Sequence, residues 1–498
     1  MGVPAALRPR PDGLDAPPPR RDAALMWLLV AVGFASLALA LNGGDRAAVF
    51  APVIAVAAFL AAFALRRPVL PWQGVLAALI LVIIFIPIRR YRLPVDLSFE
   101  LEPYRVLVAL ILAGWGAALL VDPAVRLRRS GFERPLGAIV LVVFASVLAN
   151  PGRVGALEST VVKAITFLLS FILVFYLVVS VVRTQAMLDV LAKTLVAGGA
   201  VVAVFAVLES RAGITPFTQL DSVLPFLVPY PGGGTEDALM RGGTTRAFGS
   251  AEHPIALGAA LMMLVPLAFH VVTVSGRRGW YVALLALVLG SLTTVSRTGI
   301  IMLVIIGIVY LWLRPRETRR LAPLLIPLLV ATHFVAPGTL GSLHQSFFPE
   351  GGLIEQQRSS EGDCASAGRV ADLGPTLEEA SKRPFLGQGY GTRIPSGPEA
   401  NACILDNQWL GTALEVGLLG VIGWLWLFRS VVRRLGRPAK DDPSADGSLL
   451  VAATAAVTAY GVGMLTFDAF SFIQVTFLLF IVLGMGAAVL RRQAEAAA

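Results

Sequence analysis

Five arginines, Arg241, Arg246, Arg297, Arg369 and Arg383, stand beside the ends of apolar runs in an otherwise hydrophobic chain. A guanidinium keeps its charge and presents a planar fork of donors, which suits phosphate oxygens. Arg297 is the sharpest case, because it separates two apolar runs and has no acidic neighbour in sequence. The competing reading is that these cations anchor helix ends in anionic headgroups. Asp406, followed by Asn407, opens a later apolar run. A carboxylate there is a candidate general base, since partial burial raises its pKa toward working pH. Spacing alone equally allows a helix cap, in which the side chain accepts backbone N–H groups. Glu252 and Asp468 are competing carboxylates, and His253 is either a supporting residue or a structural one.

Metal and nucleotide chemistry find little support. No pair among His253, His270, His333 and His344 has ligand spacing, so neither a zinc nor a haem cofactor is expected. The run Gly387-Gln388-Gly389-Tyr390-Gly391 lacks the Lys-Ser or Lys-Thr pair of a nucleotide loop. It reads as a tight turn that lets backbone approach a bulky ligand.

The elements that must position these residues are membrane spans. Of 498 residues, 56% are hydrophobic and only 15% charged, and mean hydropathy is +0.76. A soluble chain carries roughly a quarter charged residues. Apolar runs at 23–42, 46–65, 69–88, 104–121, 135–150, 159–182, 189–209, 254–274, 279–296, 298–313, 321–337, 403–428, 449–467 and 471–490 predict an all-α polytopic membrane protein of about 12–14 transmembrane helices.

The net charge of +9 does not form a nucleic-acid patch; it is split into small clusters between spans. Arg66 and Arg67, Arg126 to Arg134, Arg183, Arg277 and Arg278, Arg314 to Arg320, Arg429 to Lys440, and Arg491 and Arg492 all fall on one side if the spans alternate. Cytoplasmic turns carry such clusters, so both termini are expected inside. The expected organisation is a disordered cytoplasmic tail (1–22), N-terminal helices (23–200), a transmembrane core (201–337), a large extracytoplasmic loop (338–402), C-terminal helices (403–490) and a cytoplasmic tail (491–498). The arginines named above and Asp406 then face outward, against the positive-inside bias. Cys364 and Cys403, the two cysteines of the chain, fall in or beside that outer loop, where a disulfide is allowed; the alternative is two unpaired thiols.

These pieces resemble the O-antigen ligase and O-antigen polymerase superfamily of bacterial envelope enzymes. The resemblance runs over roughly residues 200–430. It is carried by Arg246-Ala-Phe-Gly with Glu252-His253-Pro254, then Ser296-Arg297-Thr298-Gly299 and Arg383 to Gly391, and finally Asp406-Asn407-Gln408-Trp409-Leu410 with Glu415-Val-Gly417 and Gly420. It implies a glycosyltransferase, without metal or nucleotide, at the outer face of the bacterial cytoplasmic membrane. The donor would be a glycan on undecaprenyl pyrophosphate, and the acceptor a hydroxyl of a glycan, lipid or protein. Arg246 and Arg297 would stabilise the leaving pyrophosphate, and Arg241, Arg369, Arg383, Asn407 and His253 would line the substrate. In the family a histidine followed by asparagine usually activates the acceptor hydroxyl, and that position here matches Asp406. A bicarbonate-transport protein has been assigned to the same superfamily, so a solute transporter is the second reading. Ionisable groups near mid-membrane would favour transport, and Lys163 and Glu415 are the few such residues here.

Overall fold

A computed structural model describes residues 71–95, 101–122, 125–230, 240–241, 244–321, 373–395, 400–402 and 405–497. The expected spans 23–42 and 46–65, nearly all of 321–337, Arg369, Cys364 and Cys403 lie outside the described residues, as does most of the outer loop.

The described chain is helical. Its principal helices are α1 (Trp72–Phe85), α2 (Pro103–Val121), α3 (Glu133–Ala149), α4 (Glu158–Val181), α5 (Gln185–Ala212), α6 (Pro254–Ser275), α7 (Gly279–Leu292), α8 (Arg297–Leu313), α9 (Leu373–Ser381), α10 (Gln408–Val431), α11 (Ala445–Gly463) and α12 (Ile473–Ala497). Among the described residues strand is confined to two antiparallel pairs of two residues, Tyr91–Arg92 with Val228–Pro229 and Met240–Arg241 with Thr244–Thr245. Seven helices (α2, α4, α5, α6, α10, α11 and α12) are long and apolar enough to cross a membrane, and α1, α7 and α8 are shorter apolar helices. The chain is an all-α, multi-pass membrane protein.

Two helices form the centre. α6 and α12 are each 94% buried over their most apolar window, whereas α2 is 33% buried. α6 packs against α5, α7, α8, α11 and α12, and α12 also packs against α4. Apolar side chains gain nothing by leaving lipid for one another, so close backbone approach has to supply the packing. Small residues permit it: Gly290 of α7 lies against the Ala203 backbone of α5, and Gly258 of α6 against Thr294 and Ser296.

The basic clusters converge on one end of this bundle. Arg128 pairs with Glu495 at 3.1 Å, Arg491 donates to the Val182 carbonyl at 2.6 Å, and Arg492 pairs with Asp446 at 3.3 Å. Arg314 donates to the Lys440 and Asp442 carbonyls there as well. Arg246, Arg297, His253 and Asp406 are at the opposite end, where α6, α8, α10 and α12 begin.

One span departs from the sequence reading. The helix expected over 403–428 starts at Gln408 and is broken at Gly417, whose φ of 73° and ψ of −169° belong to neither an α-helix nor any L-residue's comfortable region. The break is filled by the chain itself. Gln388 and Gly389 donate to the Leu414 and Glu415 carbonyls at 2.8 and 3.1 Å, while Leu418 and Leu419 donate to the Pro384 and Phe385 carbonyls at 2.7 and 3.3 Å. The glycine run therefore brings backbone close to α10.

Candidate functional site

The turn 464–472 between α11 and α12 gathers the site. Gln408 at the head of α10 donates its backbone N–H to the Met464 and Phe467 carbonyls at 2.8 and 3.1 Å, and its Oε1 accepts from the Phe470 N–H at 2.8 Å. Thr298 in the first turn of α8 shares a hydroxyl hydrogen bond of 2.9 Å with Thr466. His253 stacks on Phe472 with ring centroids 5.7 Å apart. The first turns of three helices thus meet one short loop, and the positive ends of their dipoles point to the same region. α7 and α8 join there at Thr293–Ser296, below the mouth of the bundle. Ser291 donates to the carbonyl of Gly258, about one helical turn inside α6.

Arg246 and Arg297 come together on that recessed turn. Arg246 is 7% exposed and its Nε donates to the Thr294 carbonyl at 3.0 Å, while the next N–H, of Ala247, donates to Thr293 at 3.2 Å. Glu209, buried at the end of α5, accepts the Phe248 and Gly249 N–H groups at 3.2 and 2.8 Å and so fixes the segment behind Arg246. Arg297 is the first residue of α8 and is half-buried. The turn before it is held at Val295 in the left-handed region, φ 47°, which a β-branched residue rarely adopts.

The carboxylates separate by role. Asn407, not Asp406, caps α10: its Oδ1 accepts from Trp409 and Leu410 N–H groups at 3.0 and 3.2 Å. His253 caps α6 in the same way, Nδ1 accepting from Ile255 at 3.1 Å. Asp406 is half-buried one residue ahead of the cap, close enough for its charge to act on Asp468. Burial pushes the Asp468 carboxyl up; the Ser471 hydroxyl (2.7 Å), Arg393 and Arg89 oppose this, and Asp406 adds to it. Glu252 is pushed up to about 7, chiefly by burial, although Arg89 pairs with it at 3.2 Å. Arg89 is itself held at φ 61°.

A cavity of about 470 Å³ opens beside these groups. Asp468, Glu415, Arg393, Arg89 and Lys163 line it, together with aromatic rings and the Gln408 side chain. Sequence reasoning named Asp468, Glu415 and Lys163 only in passing and gave Arg393 no role. Arg393 carries no signal distinguishing it from other loop arginines, whereas Glu415 was visible as a charge inside a span. Arg383 is elsewhere: it donates to Asn150 Oδ1 and lines a separate cavity with Arg153, Lys382 and Glu379. Arg241 is placed by its backbone in the second strand pair, facing Thr244. Among the described residues no three of His, Cys, Asp and Glu are grouped so that they could hold a metal ion.

Residues 281–425 match the family model described as O-antigen ligase. The resemblance to the O-antigen ligase superfamily is real. The matched stretch contains Arg297, Arg383, Asp406, Asn407 and Glu415, and it supports a membrane glycosyltransferase of the ligase or polymerase type. Arg246 and Asp468 lie outside the match and meet the ligase-like segment only in three dimensions, while His253, also outside it, stacks on Phe472. No curated protein matches the chain.

Proposed function

We propose that this protein transfers a glycan from an undecaprenyl-pyrophosphate donor to an acceptor hydroxyl, at the outer face of the bacterial cytoplasmic membrane. Arg246 and Arg297 on one recessed turn, at the end of the bundle where α6, α8 and α10 begin, are the observation that carries this reading. In the reaction the acceptor oxygen forms a bond to the anomeric carbon as the bond from that carbon to the phosphate oxygen breaks. The electron pair leaves with the pyrophosphate, whose growing charge the two guanidiniums and the helix ends stabilise. The acceptor proton passes to Asp406, a half-buried carboxylate that does not serve as the cap of α10. The basic end of the bundle is then cytoplasmic, and no metal or nucleotide takes part.

Solute transport is the competing reading, and the break in α10 beside Glu415 is the observation in its favour, since discontinuous helices form transport sites. Here, however, the backbone groups freed by the break are bonded to Pro384–Gly389 rather than turned toward a solute. The deciding experiment follows transfer from a lipid-linked oligosaccharide by purified protein in nanodiscs. Arg297→Ala should lower it by about 10²–10³ at unchanged expression. Full transfer by Arg297→Ala, or no transfer by wild type alongside solute uptake, would overturn the ligase reading.

A further inference from the structure

The cavity beside Asp468 carries both signs of charge. Arg89, Lys163 and Arg393 line it, with Arg105 near enough to act on Lys163, and so do the carboxylates of Asp468 and Glu415, on both of which Arg393 acts. Phe167, Phe171, Tyr390 and Phe470 supply flat apolar surface between them. Its roof is the segment Tyr390–Pro395, pressed onto α4 where Gly391 meets Ala164 and Val161. Asn401 holds that segment, donating to the Thr392 carbonyl and accepting from the Ile394 N–H, both at 3.0 Å.

The cations differ in how they are engaged. Arg89 is paired with Glu252, and Arg105 with Glu102 at 3.3 Å, an acid that also accepts from Tyr230 at 3.2 Å. Lys163 makes no hydrogen bond or ion pair among the described residues, although it stands in the second turn of an apolar helix beside two like charges. A cation so placed is costly unless something anionic joins it.

We propose that this cavity is the acceptor subsite of the transfer reaction and takes a sugar bearing a carboxylate, with Lys163 as the residue that reads the carboxylate. The inference rests on the glycosyltransfer reading above. Flat rings face the C–H surface of a pyranose, and Asp468 and Glu415 accept its hydroxyls, as a few convergent polar groups do in apolar pockets. The same two carboxylates repel the dianion of a phosphate monoester more than the single charge of a uronate. Of the lining cations, Arg89 is paired with Glu252 and Arg393 acts on Asp468 and Glu415, which leaves the Lys163 ammonium to match one carboxylate.

The test uses the full chain in nanodiscs with two probes, tetragalacturonate and neutral maltotetraose, and reads binding and melting temperature. Wild type should bind the uronate at least about tenfold more tightly than the neutral sugar, a difference of about 1.4 kcal/mol. Lys163→Gln should abolish that preference without lowering the melting temperature, and Lys163→Arg should keep it. Equal binding of both sugars by wild type, or an unchanged preference in Lys163→Gln, overturns the proposal. A Lys163→Gln effect seen only as weaker retention of phosphatidylglycerol makes the side chain a headgroup anchor and also overturns it. Transfer measured in parallel keeps the two readings apart. No uronate preference in wild type, with Arg297-dependent transfer intact, removes only the acceptor assignment, whereas Arg297-independent transfer removes the ligase reading itself.

Discussion

Asp406 and Asn407 are adjacent polar residues with divided labour. Because Asn407 takes both free N–H groups of α10, the cap and the proposed base can be separated by substitution. Asp406→Asn should lower transfer by about 10²–10⁴ and leave the melting temperature unchanged. Asn407→Ala should instead cost about 1 kcal/mol of stability, read as a lower melting temperature. Full transfer by Asp406→Asn would move the base to Asp468, the neighbouring carboxylate. Glu252 makes a separate prediction. Its pKa is raised from 4.5 to about 7, so the folded state favours the protonated form. Its contribution to stability is therefore full below about pH 4.5 and is lost as pH rises through 7. Wild type should lose melting temperature relative to Glu252→Gln across that window; parallel profiles would mean that the group titrates normally. Both non-glycine residues with positive φ among the described residues, Arg89 and Val295, stand at this site. Strained backbone often collects where geometry serves function.

At the scale of elements, the sequence was informative about helices and poor about their interruptions. Eleven of the fourteen expected spans coincide with described helices, because long apolar runs have few alternatives in lipid. The recess of the α7–α8 turn was hidden, since it depends on where Ser291 meets Gly258 and not on hydrophobicity. Arg246 and Arg297 were legible as charges out of place, yet their shared turn depends on the Arg246–Thr294 hydrogen bond, which spacing does not encode. The break in α10 was equally hidden. Gly417 sits in a sequence that reads as continuous helix, and only the incoming Pro384–Gly389 backbone makes the break tolerable. Gly417→Ala should be strongly destabilising, by at least about 1–3 kcal/mol. Its φ is positive, and an added methyl group would overlap the Phe385 backbone. Gly411→Ala, on the same helix, where an added methyl group makes only ordinary contacts at 3.5 Å and beyond, is the comparison. Similar melting temperatures for the two variants would show that the break is not required.

The whole molecule separates charge along its axis, with the basic clusters at one end and the candidate site at the other. In a cysteine-free background, a single cysteine at Arg434 or Arg492 should react with a membrane-impermeant maleimide only after cells are opened. One at Ser471 should react in intact spheroplasts. The reverse pattern would invert the proposed orientation.

The stitch between Pro384–Gly389 and α10 also fixes an order of events during synthesis. A chain leaves the ribosome N-terminus first, at about 5–20 residues per second. α3 and the short helix Pro151–Ala156 are therefore in place before the stitch exists, and they already present Asn150 and Ser146, which bind the Gly387 and Glu415 carbonyls at 3.2 and 2.7 Å. The stitch is made next, and α10, whose break it fills, follows. Residues 384–389 are consequently made before the last three helices. A translation pause or a bulky insertion between residues 389 and 408 would be felt as failed membrane assembly, not as a slower enzyme.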